Sequence, residues 1–176
     1  NPSRLSQDDQ DDILTMLGAV AQSLGVTWGP FKADVMLTAD GPKILEVTAR
    51  LSGGFDSQGT SPLTGRQPMR AVLQLACGIP VDAPLTWMPQ HGYSACAAIL
   101  PQKTGIIQAL PKNGTVDFDL SIEQVIWTIA PGEVITPINN NSQRAGFVLS
   151  LAQSYAAAWQ RAKAAADTLA AAVELA

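Results

Sequence analysis

The chain has 176 residues, 47% of them hydrophobic, enough to bury a substantial core in one domain or in one domain with a small appended lobe. Its 11 Lys and Arg stand against 15 Asp and Glu, and a net charge of -4 argues against nucleic acid as a partner. No apolar run approaches the roughly 18 residues needed to cross a bilayer, and the polar opening NPSRLSQDDQDD is unlike a secretory signal, so no membrane partner is expected.

Asn1-Pro2 is loop-like and is not preceded by an initiator Met, so a piece of a longer protein is expected. From Asp8 to Leu24 the apolar positions Ile13, Leu14, Leu17, Val20, Ala21 and Leu24 recur at helical spacing. Ser6 is the expected cap and Gly25 the stop, with acids in the first turn. The acidic run Asp8-Asp9-Gln10-Asp11-Asp12 lacks the glycine and terminal glutamate of a calcium loop. Residues 29 to 49 then alternate with period two about the turn Ala39-Asp40-Gly41-Pro42, which predicts a β-hairpin.

Residues 50 to 67 are rich in Gly and Pro without periodicity and read as a long connection, a kind that is commonly functional. Pro68 opens and Gly78 stops a helix whose stripe Met69, Val72, Leu73 and Ala76 is expected in the core. Cys77 and Cys96 form no CxxC pattern and lie in apolar stretches, so buried thiols in a reducing cytoplasm are expected. After a Pro-rich link come strand candidates at 92–100, 105–110, 115–119, 124–129 and 145–151, with Asn113-Gly114 as a hairpin turn. They predict a small antiparallel lobe, followed by an Ala-rich helix from Ala152 to about Leu175. His91, Lys103 and the scattered Trp28, Trp87, Trp127 and Trp159 read as surface or packing residues.

The hairpin carries the chemistry. Phe31, Ala33, Val35 and Leu37 share one face of the first strand, and Lys32, Asp34, Met36 and Thr38 the other. On the second strand Leu45 and Val47 oppose Ile44, Glu46, Thr48 and Arg50. If the apolar faces coincide, Asp34 must lie opposite or diagonal to Glu46, because a slip of one residue would turn every side chain over. Like charges at that separation destabilise a sheet unless something answers them. Two carboxylates beside a hydroxyl and an arginine suit a hard cation such as Mg²⁺. On composition alone, a solvated face on which Lys32 and Arg50 balance the acids fits as well.

The segment GPFKADVMLTADGPKILEVTARLSGGFDSQGTSPLTG, residues 29 to 65, resembles the ATP-grasp superfamily, in particular its carboxylate-amine ligases. Those proteins carry a strand with an acid among apolar residues, an Asp-Gly turn, and a second strand reading Glu-x-Asn-x-Arg before a Gly-Gly loop. The matching positions are Asp34, Asp40-Gly41, Glu46, Thr48, Arg50 and Gly53-Gly54. By resemblance, Asp34 and Glu46 bind the Mg²⁺ (or Mn²⁺) ions that bridge the phosphates of ATP, and Arg50 touches the acyl phosphate or the substrate carboxylate. Ser52, Gly53 and Gly54 offer backbone N–H groups to phosphate or substrate. Thr48 stands where the family has a metal-binding Asn and is carried over as the third metal-site residue, its hydroxyl able to coordinate the ion or hold a water, though this departure puts a second metal in question.

The resemblance implies an α+β fold: residues 1–79 as the metal-binding second half of an ATP-grasp domain, an antiparallel sheet with flanking helices, and 80–176 as a small antiparallel carboxyl-terminal lobe with a long terminal helix. It implies a cytoplasmic, homo-oligomeric ligase (a homodimer) acting on a small carboxylate and an amine acceptor. It also implies an amino-terminal part of the same protein that clasps the nucleotide. An ATP-grasp carboxylase or acid-thiol ligase is the enzymatic alternative. A non-catalytic binding or oligomerisation module is the other.

Overall fold

The structure is a computed structural model and describes residues 3–53, 67–81, 92–111 and 122–176. The described residues fall into two compact units, one holding 3–53 and 67–81, the other 92–111 and 122–176. The expected strand at 115–119, the Asn113-Gly114 turn, His91 and Trp87 lie outside the described residues.

In the first unit, helix α1 spans Gln7–Ser23. It begins where expected, because the Ser6 hydroxyl accepts the Asp9 N–H at 3.2 Å and Asp8 and Asp9 complement the positive end of the helix. It ends at Gly25, whose φ of 71° lets the chain reverse so that the Val26 N–H reaches the Ala21 carbonyl. Strands β1 (Lys32–Thr38) and β2 (Gly41–Thr48) pair antiparallel. The turn is closed by the Thr38 hydroxyl donating to the Gly41 carbonyl at 2.8 Å, and Gly41 has a φ of 89°.

Helix α2 covers Pro68–Ala76 with Pro in its first turn. Its apolar stripe does not lie where the sequence places it. Met69 and Leu73 are 56% and 65% exposed, Ala76 is exposed, and Ala71, Val72 and Leu75 turn inward instead. Cys77, just past the helix, is exposed rather than buried, and Cys96 is half-buried. None of the described residues of this unit is fully buried.

The second unit contains the core. Strands β3 (Tyr93–Ile99), β5 (Ile122–Trp127) and β7 (Gly146–Ala152) form an antiparallel sheet with β7 in the middle. Helix α3 (Tyr155–Ala171) packs on it through Ala158, Ala162, Ala165, Ala166 and Leu169, which meet Ala95, Ala97, Ile99 and Val148. Alanine at every contact position but one lets the helix axis approach the sheet closely. The buried Ser150 hydroxyl donates to the Ala158 carbonyl and ties strand to helix.

A second antiparallel sheet has the order β6 (Val134–Ile135), β4 (Gly105–Ala109), β8 (Glu174–Leu175). The terminal helix is therefore shorter than its alanine content predicts. The chain leaves it after Ala171, and Ile107 pairs with Leu175 in β4. Neither two-residue strand has enough sequence to show a period.

Candidate functional site

The hairpin register sets Lys32 opposite Thr48 and Asp34 opposite Glu46. Residues two apart share a strand face, so these four side chains form a square. Lys32 Nζ lies 2.7 Å from Asp34 Oδ2 and 3.7 Å from Glu46 Oε1. The Thr48 hydroxyl donates to that same Glu46 oxygen at 3.0 Å. The hydrogen bond to Asp34, with the charges of both carboxylates, holds the Lys32 ammonium above its ordinary pKa against the opposing effect of burial.

Exposure differs sharply within the square. The Lys32 side chain is 18% exposed, whereas those of Asp34 and Glu46 are 54% and 55% exposed. An ion pair on carboxylates this open stabilises a fold little. The acids therefore offer their oxygens to solvent while the ammonium steadies them from within.

Strand alternation alone misplaces one part of the hairpin. A bulge lies between Asp34 and Val35 on the ladder, and Val35 pairs with Ile44, so Leu45 has no partner and is 64% exposed. Ile44, expected on the face of Glu46, instead opposes Val35. Bulges occur next to functional sites because they re-aim side chains and tighten the local twist. Here the bulge immediately follows the acid pair.

Arg50 does not balance the carboxylates directly. Its Nη1 donates to the Leu51 carbonyl at 2.9 Å, and it lines an open cleft of about 580 Å³ together with Asp34, Lys32 and Ser52. Pro30, Phe31, Leu51 and the α2 residues Ala71, Val72 and Leu75 give that cleft an apolar floor. The Ser52 hydroxyl donates to the Gly53 carbonyl, and the Arg50 guanidinium passes beside Gly53. Gly54 lies outside the described residues. Sequence reasoning missed the α2 contribution, because nothing in a nine-residue stripe says which side of it faces the hairpin.

The donor set fits a hard cation held by few protein ligands. Two facing carboxylates and a hydroxyl supply only oxygen, and among the described residues no group of three or more His, Cys, Asp or Glu is assembled. Mg²⁺ commonly binds through one or two carboxylates, keeps waters and is completed by substrate phosphates.

This arrangement of a carboxylate-bearing hairpin with flanking helices and an antiparallel lobe carrying a helix is a fold shared with part of several solved ligase and carboxylase structures. Within it, residues 97–174 match the family model described as L-amino acid ligase C-terminal domain 2. Dapdiamide A synthase of Enterobacter agglomerans is 27% identical over 129 residues, 70% of this chain and 30% of that protein. The L-amino acid ligase of Bacillus licheniformis superposes with a TM-score of 0.76 at 22% identity, over 99% of this chain and 42% of that one. Phosphoribosylglycinamide synthetase of Anaerococcus prevotii gives 0.80 at 15% identity, over 99% and 44%. The biotin carboxylase domain of the Hydrogenobacter thermophilus 2-oxoglutarate carboxylase, a dimer solved with MgADP, gives 0.70 at 16%, over 99% and 38%. The structural likenesses fix the fold, and the chain spans less than half the length of each of these proteins. Among the described residues no helix is long and apolar enough to cross a membrane.

Proposed function

We propose that this chain forms the metal-binding part of an ATP-dependent ligase that joins a carboxylate to an amine, with amino acids or peptide-like molecules as substrates. The observation that carries the reading is the direct pairing of Asp34 with Glu46 on an open strand face. The match of residues 97–174 to an amino acid ligase domain supports it independently, from the other unit.

In this reading a substrate carboxylate oxygen takes the γ-phosphoryl group of ATP and ADP leaves. The amine nitrogen then attacks the acyl carbon, inorganic phosphate departs with the former carboxylate oxygen, and the nitrogen loses a proton. Asp34 and Glu46 would hold Mg²⁺ or Mn²⁺, with Thr48 steadying Glu46, and the ion would supply charge neutralisation for the phosphates. Arg50, at the polar edge of the cleft, meets the acyl phosphate or a substrate carboxylate, for which a guanidinium fork is suited. The backbone N–H groups of the Ser52-Gly53-Gly54 stretch serve the same anions.

The nucleotide clasp belongs to a further, amino-terminal part of the same protein. The coverage of the relatives, 30% of one and 42% of the other, supports this. Assembly into a homodimer is supported by the dimeric carboxylase domain of the same fold. That likeness also keeps an ATP-grasp carboxylase as the second reading, and substrate screening separates the two.

The test uses the full-length protein. Asp34→Asn and Glu46→Gln are each expected to lower amino-acid-dependent ADP release by about 100-fold or more, with an unchanged circular dichroism spectrum. ATP consumption at the wild-type rate in both variants would overturn the assignment.

A further inference from the structure

Helix α2 is apolar on two sides. Ala71, Val72 and Leu75 line the cleft, while Met69 and Leu73 on the helix and Ile79 just past it are 56%, 65% and 50% exposed. Only Arg70 and Gln74 interrupt the apolar residues from Pro68 to Ala76. Met69 and Leu73, four residues apart, are neighbours on the helix surface. Ile79 joins them through the way the helix ends. Gly78, with a φ of 69°, donates its N–H to the Leu75 carbonyl at 3.0 Å, and the Ile79 N–H reaches back to the Gln74 carbonyl at 2.8 Å. Such a closure commonly seats the residue after the glycine against the last full turn, here beside Leu73.

A helix that is apolar all round is one that its protein covers all round. Three large exposed side chains in a row, rimmed by Arg70 and Gln74, have the make-up of a docking stripe. The surroundings of α2 say what is missing. The hairpin that shares its cleft has only two strands among the described residues, and no described residue of this unit is fully buried, so the unit lacks a layer to close against. The other unit already has its own core. The L-amino acid ligase and the phosphoribosylglycinamide synthetase match 99% of this chain with only 42% and 44% of their own length. Residues 97–174 match a carboxyl-terminal domain, so a continuation of that size would precede Asn1.

We infer that Met69, Leu73 and Ile79 are the docking stripe for the preceding segment of the same polypeptide, which lays an apolar surface on α2 and completes the first unit. The inference rests on the amino-terminal part proposed above and gives that part its seat on this chain.

Two measurements on the full-length protein test it. Peroxide oxidation of Met69, followed by mass spectrometry, is expected to be about tenfold or more slower in the full-length protein than in this chain alone, since oxidation follows exposure. Photo-methionine in place of methionine is expected to link position 69 to residues that precede Asn1 on the same chain. Equal oxidation rates would overturn the inference. So would slow oxidation in both proteins or links only within residues 1–176, because the chain would then cover its own stripe. Links between two copies would overturn it in favour of a self-association surface. If this chain alone does not hold its fold, the links in the full-length protein decide. Amino-acid-dependent ADP release from the same full-length sample keeps the two readings apart: an active ligase with an open stripe sinks only the docking inference, and a covered stripe without activity sinks only the ligase.

Discussion

Single residues are held here by quite different means, and the sequence displays only some of them. Asp34 and Glu46 are legible as neighbours because the apolar faces of the two strands must coincide, although counting from the turn alone would set Asp34 opposite Leu45 and only the bulge brings Glu46 into place. Lys32 is legible as a neighbour of Asp34, but its depth is not, since burial depends on what packs beyond the strand. Gly146 gives no sequence signal at all. It opens β7 between β3 and β5, and a Cβ placed on it would lie 2.3 Å from the Ile126 carbonyl oxygen and 3.1 Å from Ile99 Cδ1. Backbone on one side and a fully buried isoleucine on the other leave nothing free to yield. Gly146→Ala is expected to cost about 1–3 kcal/mol, as overpacking of a tight site does, read from the urea midpoint of this chain.

Among the elements, α1 and the hairpin follow from local rules: a cap, a stop, a turn. Helix α2 shows where such rules end. Its expected stripe and its real inward face overlap only at Val72, because short helices with many apolar residues have more than one candidate face. Alanine content correctly predicts α3, yet overestimates its length, since pairing of Glu174–Leu175 with β4 outweighs helix propensity in the last turn. What α3 demands of its alanines is space. Ala162 is fully buried against the sheet, and Ala164, on the same helix, is exposed. Ala162→Leu is expected to destabilise by about 1–3 kcal/mol, and Ala164→Leu to stay within about 0.5 kcal/mol. Thermal unfolding of the two variants side by side provides the comparison.

At the scale of the molecule the two units are unequally built. One unit includes every side chain that is buried among the described residues, whereas the described part of the other combines a two-stranded hairpin with half-covered helices and exposed Trp28, Leu45 and Leu73. A lone two-stranded hairpin is marginal in water. Amide hydrogen exchange on this chain is therefore expected to be slow in β3, β7 and α3 and faster by orders of magnitude in β1 and β2. Equal protection in the two sets would show that the hairpin is as stable as the core. The inequality between the parts shows in composition only as a first part less apolar than the second, and packing makes the rest of the difference.

The bulge at Leu45 has a consequence for how such a site tolerates change over generations. Asp34 and Glu46 pair on one side of it, and the turn lies on the other. Loss of the unpaired residue would let Ile44 follow Glu46 in regular alternation and still oppose Val35. The acids would keep their places. Deletion of one codon, which elsewhere in a hairpin throws every side chain out of phase, can here be absorbed between the turn and the acid pair, leaving the two free to diverge at different rates.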